Sequence, residues 1–138
     1  MIEIETLVPL SLAETWERLT VDAHTDVWWA KGLLLEHAKG GRFAEPWKDS
    51  GGESRVISGT VTSFEPMRRL QFNYQRPNWK KPTRVEFLLS PRDGGTRVYL
   101  QHSGWEMITD ENERRTEVDA YTKIWTRRMA EFKSCCAG

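Results

Sequence analysis

The segment that decides the fold runs from Thr83 to Trp105 and reads T-R-V-E-F-L-L-S-P-R-D-G-G-T-R-V-Y-L-Q-H-S-G-W. Apolar residues recur at every second position on both sides of Asp93-Gly94, a dipeptide that favours a tight hairpin turn with positive φ at both residues. With that dipeptide in the turn, Val85 lies opposite His102. The segment therefore predicts an antiparallel hairpin with His102 on its buried face, at the end distant from the turn.

The rest of the chain predicts further strands and two short helices. The same alternation of apolar and polar residues predicts strands at 2–8, 33–37, 42–47, 55–64 and 69–75. A capping box, Ser11-Leu-Ala-Glu14, begins a helix that we expect to end near Thr20. Thr25 or Asp26 could cap a second short helix, which would hold Trp28 and Trp29. We therefore expect both short helices to lie between the first two strands.

The C-terminal segment predicts the longest helix. Thr109 or Asp110 caps it, and Lys133 lies near its end. Its apolar stripe is spaced by three and four residues and consists of Val118, Tyr121, Trp125, Met129 and Phe132. An antiparallel sheet must cover its apolar face, and this helix is long enough to do so. The sequence predicts an α+β domain, in which a curved antiparallel sheet of about six to seven strands wraps around one long helix.

Composition limits the classes of function. A chain of 138 residues with 20 basic and 20 acidic residues fits a single domain, 1–138, with no net charge to attract nucleic acid. It contains no apolar run long enough to span a membrane and does not open on a signal peptide. Adjacent Cys135 and Cys136 cannot join distant parts of a fold, which favours a cytoplasmic location. No metal-ligand spacing or nucleotide-binding motif is present, so we expect neither a metal nor a cofactor.

Short motifs over nearly the whole chain indicate a family. They are Trp28-Trp29, Gly40-Gly41-Arg-Phe43, Gly59-Thr-Val61 with Phe64-Glu-Pro66, Leu70-Gln-Phe72, Val85-Glu-Phe87-Leu-Leu89, Gly95-Thr96 and His102-Ser-Gly104-Trp105. In order and spacing they resemble the START and birch-pollen-allergen superfamily, SRPBCC. The most similar family there is that of the C-terminal domain of the activator of the heat-shock protein 90 ATPase. This resemblance implies the helix-grip fold and a hydrophobic cavity. The resemblance does not extend to the separate N-terminal domain of that activator, so we do not expect ATPase stimulation.

The aromatic residues suggest where a ligand would bind. Residues expected to face the space between sheet and helix are Trp29, Phe43, Trp47, Phe72, Tyr74, Phe87, Leu100, His102, Trp105, Tyr121 and Trp125. Aromatic faces with polar edges suit a small apolar or aromatic molecule with a few oxygens. The alternative is a filled core without a cavity. The first hypothesis is therefore a protein that binds such a molecule.

Two titratable residues support a second hypothesis, a cyclase-like or hydrolase-like enzyme. His102 could act as a general base, and Glu45, on the same strand face as Phe43, could transfer protons. The alternatives are a His102 that hydrogen-bonds to backbone or water, and a Glu45 that faces water because Pro46 distorts the strand end.

A third hypothesis is a cochaperone-like module that binds a protein. The loop R-P-N-W-K-K-P is expected to expose Trp79 between charges as an anchor for a partner. The alternative is a Trp79 that folds back over the sheet edge. A homodimer formed through the sheet edge is a further expectation. The short runs Lys80-Lys81 and Arg127-Arg128 are expected to be solvated.

Overall fold

A seven-stranded antiparallel sheet wraps around a long C-terminal helix in the computed structural model, which describes residues 1–137. The strand order is β1-β7-β6-β5-β4-β3-β2. The elements are β1 (Ile2–Val8), α1 (Leu12–Thr20), α2 (Asp22–Trp28), β2 (Leu34–Leu35), β3 (Arg42–Lys48), β4 (Ser54–Glu65), β5 (Arg69–Tyr74), β6 (Thr83–Arg92), β7 (Gly95–Ser103) and α3 (Glu111–Cys136). The predicted α+β class and the long helix are confirmed, and the sheet has seven strands.

The central hairpin has the predicted register. Val85 pairs with His102, and Arg92 pairs with Gly95 around the turn. The turn itself differs from the expectation. Gly94 has a φ of 78°, but among the described residues Met67 is the only non-glycine residue with positive φ. Asp93 therefore keeps a negative φ, and glycine supplies the left-handed position by itself.

The two short helices follow different rules at their N-termini. The capping box of α1 is present, with Ser11 and Glu14 each bonded to the other's backbone nitrogen. The predicted start of α2 at Thr25 or Asp26 is wrong, because the helix begins at Asp22 without a side-chain cap. Asp26 instead accepts a hydrogen bond from the backbone nitrogen of Gly32 at 3.0 Å, and this bond secures the loop after the helix.

Helix α3 turns its predicted apolar stripe toward the sheet. Asp110 caps it by accepting from the backbone nitrogen of Glu113 at 2.8 Å. The stripe residues after Val118 are buried, and Val118 is half-buried. Arg128 follows Trp125 by three residues and so lies on the same face, where it reaches Glu45. The expectation that Arg128 is solvated is therefore wrong.

A glycine permits the close approach of two strands in the curved sheet. A β-carbon at Gly59 in β4 would overlap the carbonyl oxygen of Asn73 in β5. Next to this point the register between β4 and β5 shifts, between Val61 and Ser63. Within residues 1–137, no helix has the length and apolar character needed to cross a membrane.

Candidate ligand-binding site

The space between the sheet and α3 is filled by side chains. Ten of the eleven residues predicted to line a cavity are buried, and Trp47 is half-buried. The rings contact one another: Phe43 stacks on Phe72 at 4.2 Å between centroids, and Trp29 meets Trp125 edge to face at 5.7 Å. The structure therefore brings the predicted residues together, in the arrangement of the filled core that the sequence left as the alternative.

His102 is neutral and fully hydrogen-bonded in this core. The indole nitrogen of Trp125 donates to its Nδ1 at 3.0 Å, so Nδ1 carries no proton, since an indole N–H can only donate. Nε2 therefore holds the proton and donates to Oγ1 of Thr83 at 2.7 Å, and that hydroxyl donates to the carbonyl of Tyr74 at 2.7 Å. Burial lowers the pKa of His102 from 6.5 to about 3, and the charge of Arg128 acts in the same direction.

Glu45 is the centre of a buried ionic cluster. Glu45 is 1% exposed, so the alternative in which it faces water is wrong. Arg128 donates from Nη1 to Oε1 and from Nη2 to Oε2, both at 3.1 Å. Trp29 Nε1 donates to Oε1 at 2.7 Å, and the Tyr74 hydroxyl donates to Oε2 at 2.7 Å. Four hydrogen bonds, two of them from the bidentate Arg128, hold the carboxylate in one position.

The two tyrosines next to this cluster are neutral donors at physiological pH. Burial raises the pKa of Tyr74 well above its usual value, with the Glu45 charge as the next cause. Burial also raises the pKa of Tyr121 to about 12. The phenol oxygens lie 3.3 Å apart. Because Tyr74 directs its single proton at Glu45, Tyr121 is the donor in this pair.

His102 and Glu45 do not form a proton-transfer pair. Each belongs to its own set of hydrogen bonds, and they make no bond to each other among the described contacts. A general base needs a free nitrogen and a pKa near the working pH, and His102 has neither. The arrangement supports a structural role for both residues.

Trp79 is not an exposed anchor. It is 5% exposed, and its ring contacts Trp105 at 5.6 Å and Tyr121 at 5.8 Å between centroids. Its loop folds back because Gln75 Nε2 donates to its carbonyl at 2.8 Å and its own backbone nitrogen donates to the carbonyl of Arg76. The expectation of an exposed Trp79 is wrong, and its alternative is correct.

An open groove lies beside this loop, and we call it the Trp47 groove. Its volume is about 520 Å³, and it is lined by Trp47, Asp49, Arg55, Arg76, Pro77, Asn78 and Glu117. The Arg76 guanidinium carbon lies 3.9 Å from the ring centroid of Trp47 and 6.0 Å from that of Tyr121. Arg76 Nη1 and Glu117 Oε2 are 3.6 Å apart, close enough for attraction but too far for a hydrogen bond. The groove therefore borders the tyrosine pair of the core.

Three polar atoms at this groove are buried without a hydrogen-bond partner. They are Trp47 Nε1, Arg76 Nε and Glu117 Oε2. Each such atom costs about 1–3 kcal/mol when it is left unpaired. Two other surface grooves have similar volumes, about 490 and 590 Å³, but none of their lining residues carries such an atom in the described chain. The unused hydrogen-bonding capacity of these three grooves is thus concentrated at Trp47.

Comparison with known proteins assigns the family. A family model described as Activator of Hsp90 ATPase homolog 1-like protein matches residues 9–137. The chain belongs to this family. The resemblance inferred from the sequence motifs is thereby confirmed, and with it the fold class. Proteins of this family generally bind hydrophobic ligands.

Solved structures show the same fold at low sequence identity. Protein MLL2253 from Mesorhizobium loti is 20% identical, with a TM-score of 0.77 over 96% of this chain and 93% of that one. CalU16 from Micromonospora echinospora is 20% identical, with a TM-score of 0.71 over 95% and 70%. The AHSA1-like protein from Aeromonas hydrophila is 18% identical, with a TM-score of 0.72 over 97% and 92%. No curated protein matches the chain.

Sequence reasoning missed Arg128 of the ionic cluster and every lining residue of the Trp47 groove except Trp47, among them Arg76 and Glu117. Arg128 carried a usable signal, since it lies three residues after Trp125 on the buried face of α3. Glu117 lies four residues before Tyr121, one turn earlier on that face, and also carried one. Arg76 carried none, because its contact with Trp47 joins a loop to a distant strand.

Proposed function

We propose that this protein binds a small aromatic molecule in the Trp47 groove, at the open end of the space between the sheet and α3. The observation that supports this most strongly is the coincidence of a groove of about 520 Å³ with three unpartnered polar atoms in its wall. Ligand sites commonly combine apolar walls with a few polar groups that fix orientation. In the groove the apolar surface comes from Trp47 and Pro77, and it lies beside the charged edge of Arg76 and Glu117.

The groove, and not the core, is the proposed site because Glu45 and His102 are fully partnered and Trp79 Nε1 is the one unpartnered buried atom there, against three at the groove, among the described residues. Glu45 and His102 already have all the partners described above, and the neighbouring rings are in contact. A ligand between Trp29 and Trp125 would have to separate rings that pack edge to face and lose that contact energy. A ligand in the groove needs only a movement of the Arg76 side chain.

The Arg76 side chain can move without disturbing the loop, because the Arg76 backbone is held independently of its side chain. Its carbonyl accepts from the backbone nitrogen of Trp79 at 3.0 Å, which maintains the loop while the side chain rotates. The guanidinium covers the Trp47 ring and is bonded to neither Trp47 nor Glu117. A shift of the guanidinium along the ring would uncover part of the aromatic face for a flat ligand, while Arg76 stays beside Trp47 and Glu117.

The test is calorimetric titration of a panel of small aromatic compounds, supported by thermal unfolding. A ligand that binds the folded chain raises its melting temperature. Trp47→Phe keeps an aromatic ring but removes the indole N–H, so affinity should fall about fivefold, as expected for loss of one hydrogen bond of about 1 kcal/mol.

Trp16→Phe is the matched control. Trp16 packs against Phe64 at 5.3 Å and is not part of the groove, so its replacement should leave the affinity unchanged. Equal affinities for the two variants would reject the groove as the site. If no aromatic compound binds the unmodified chain with a Kd below about 1 mM, the proposed function itself is rejected.

A further inference from the structure

Some of the charged groups around the Trp47 groove are already paired with one another. Asp49 and Arg55 form an ion pair at 3.0 Å, and Asp49 also accepts from the backbone nitrogens of Gly51 and Glu53. Arg55 also donates from Nη2 to Glu53 at 3.0 Å. These groups therefore make their hydrogen bonds within the chain.

The buried atoms without a hydrogen-bond partner at the groove are two donors and one acceptor. Trp47 Nε1 and Arg76 Nε each carry an N–H without a partner, and Glu117 Oε2 is a carboxylate oxygen without one. Arg76 is adjacent to both other residues, at 3.9 Å from the Trp47 ring centroid and 3.6 Å from Glu117. Donors and acceptor are therefore neighbours along one edge of the groove.

The charges at this edge of the groove favour an uncharged ligand. The guanidinium and the carboxylate balance each other, so a charged group on the ligand would be attracted by one and repelled by the other. It would therefore lose its hydration in a partly buried place without a net electrostatic gain. A neutral group that accepts from Trp47 and Arg76 and donates to Glu117 satisfies all three atoms without adding charge. The primary amide has both capacities on adjacent atoms.

We infer that the Trp47 groove selects an uncharged aromatic amide, or a group with the same adjacent acceptor and donor, over the corresponding acid or amine. This inference rests on the proposed function, because it specifies the ligand class of the same groove. The carbonyl oxygen receives the N–H groups of Trp47 and Arg76, and the amide N–H donates to Glu117 Oε2.

The experiment compares three probes that share the naphthalene ring system: 2-naphthamide, 2-naphthoate and 2-naphthylmethylammonium. Calorimetry on the unmodified chain should give an amide affinity about tenfold above that of either charged probe, since leaving a buried polar group unpaired costs about that much. Glu117→Gln removes the repulsion of the carboxylate probe, so naphthoate should gain at least about fivefold relative to the amide.

Arg76→Gln tests the opposite side, and Arg97→Gln is its matched control. Arg97 also lies over an aromatic ring, at 5.1 Å from Tyr99, and pairs with Glu5 at 2.6 Å, but it lies outside the groove. Arg76→Gln should improve the ammonium probe relative to the amide, and Arg97→Gln should not. The ratio of two probes on one variant does not depend on how much of that variant is folded.

The possible results distinguish a failure of the amide preference from a failure of the proposed binding site. If probes bind but the unmodified chain prefers naphthoate, or if Glu117→Gln leaves the ratio of naphthoate to amide unchanged, the inference about the amide is overturned and the groove remains the site. If none of the three probes binds the unmodified chain below about 1 mM, the proposed function fails, and the inference fails with it.

Discussion

The buried neutral His102 makes the stability of the fold depend on pH in a calculable way. Its pKa is lowered to about 3 in the folded chain, first by burial and then by the Arg128 charge, while the ordinary value is 6.5. Between these values the unfolded chain binds a proton that the folded chain excludes. The free energy of unfolding therefore falls as the pH drops below about 6.5, and the loss continues until the pH approaches the folded value.

The size of the effect follows from the two pKa values. Each pKa unit corresponds to about 1.36 kcal/mol, so lowering the pH from about 7.5 to about 5 should remove about 2 kcal/mol of stability through His102. His102→Gln removes the titration, and its amide can still accept from Trp125 and donate to Thr83. The variant should lose about 2 kcal/mol less than the original chain over this range.

Urea unfolding at the two pH values measures this difference directly. The other two histidines, His24 and His37, are present in both proteins, so their contributions cancel in the comparison. Equal losses of stability in the original chain and in His102→Gln would mean that the folded chain admits the proton. That result would refute the neutral, fully partnered histidine.

Two further substitutions test the ionic cluster and the bend of the sheet. Arg128→Met leaves the Glu45 carboxylate buried without its cation and should reduce the free energy of unfolding by about 3–5 kcal/mol. Arg127→Met, on the exposed face of α3, should change it by less than about 0.5 kcal/mol, and similar losses in urea unfolding would contradict the buried pair. Gly59→Ala should cost about 3 kcal/mol because its β-carbon overlaps the backbone of β5, whereas Gly51→Ala, in an exposed turn, should cost far less; thermal unfolding of both variants decides this.

Local patterns predicted the parts of the fold that depend on neighbouring residues. The register of β6 and β7 followed from alternation around Asp93-Gly94, and the capping box of α1 followed from Ser11 and Glu14. The start of α2 did not, because the helix begins without a side-chain cap and no residue type indicates its position. Helices and strands were thus predictable where a capping side chain or a regular apolar pattern determines them.

The site was harder to predict because its contacts join distant parts of the chain. Glu45 and Arg128 are 83 residues apart, and no local pattern indicates that a strand carboxylate will meet a helix cation. Trp79 is held by aromatic neighbours on the turn after β7 and on α3, so charges beside it in sequence wrongly suggested exposure. Burial of polar residues is decided by partners across the fold, which a single sequence does not display.

The indole N–H signals of the seven tryptophans offer the most direct test of the proposed binding site. In a two-dimensional ¹H–¹⁵N spectrum, each indole gives one signal, and Trp→Phe variants assign them. Trp28 donates to the carbonyl of Arg18 and Trp125 donates to His102, whereas Trp47 has no partner. Addition of 2-naphthamide should shift the Trp47 signal as it gains an acceptor and leave those of Trp28 and Trp125 in place. A shift at Trp125 with Trp47 unchanged would place the ligand in the core and contradict the account.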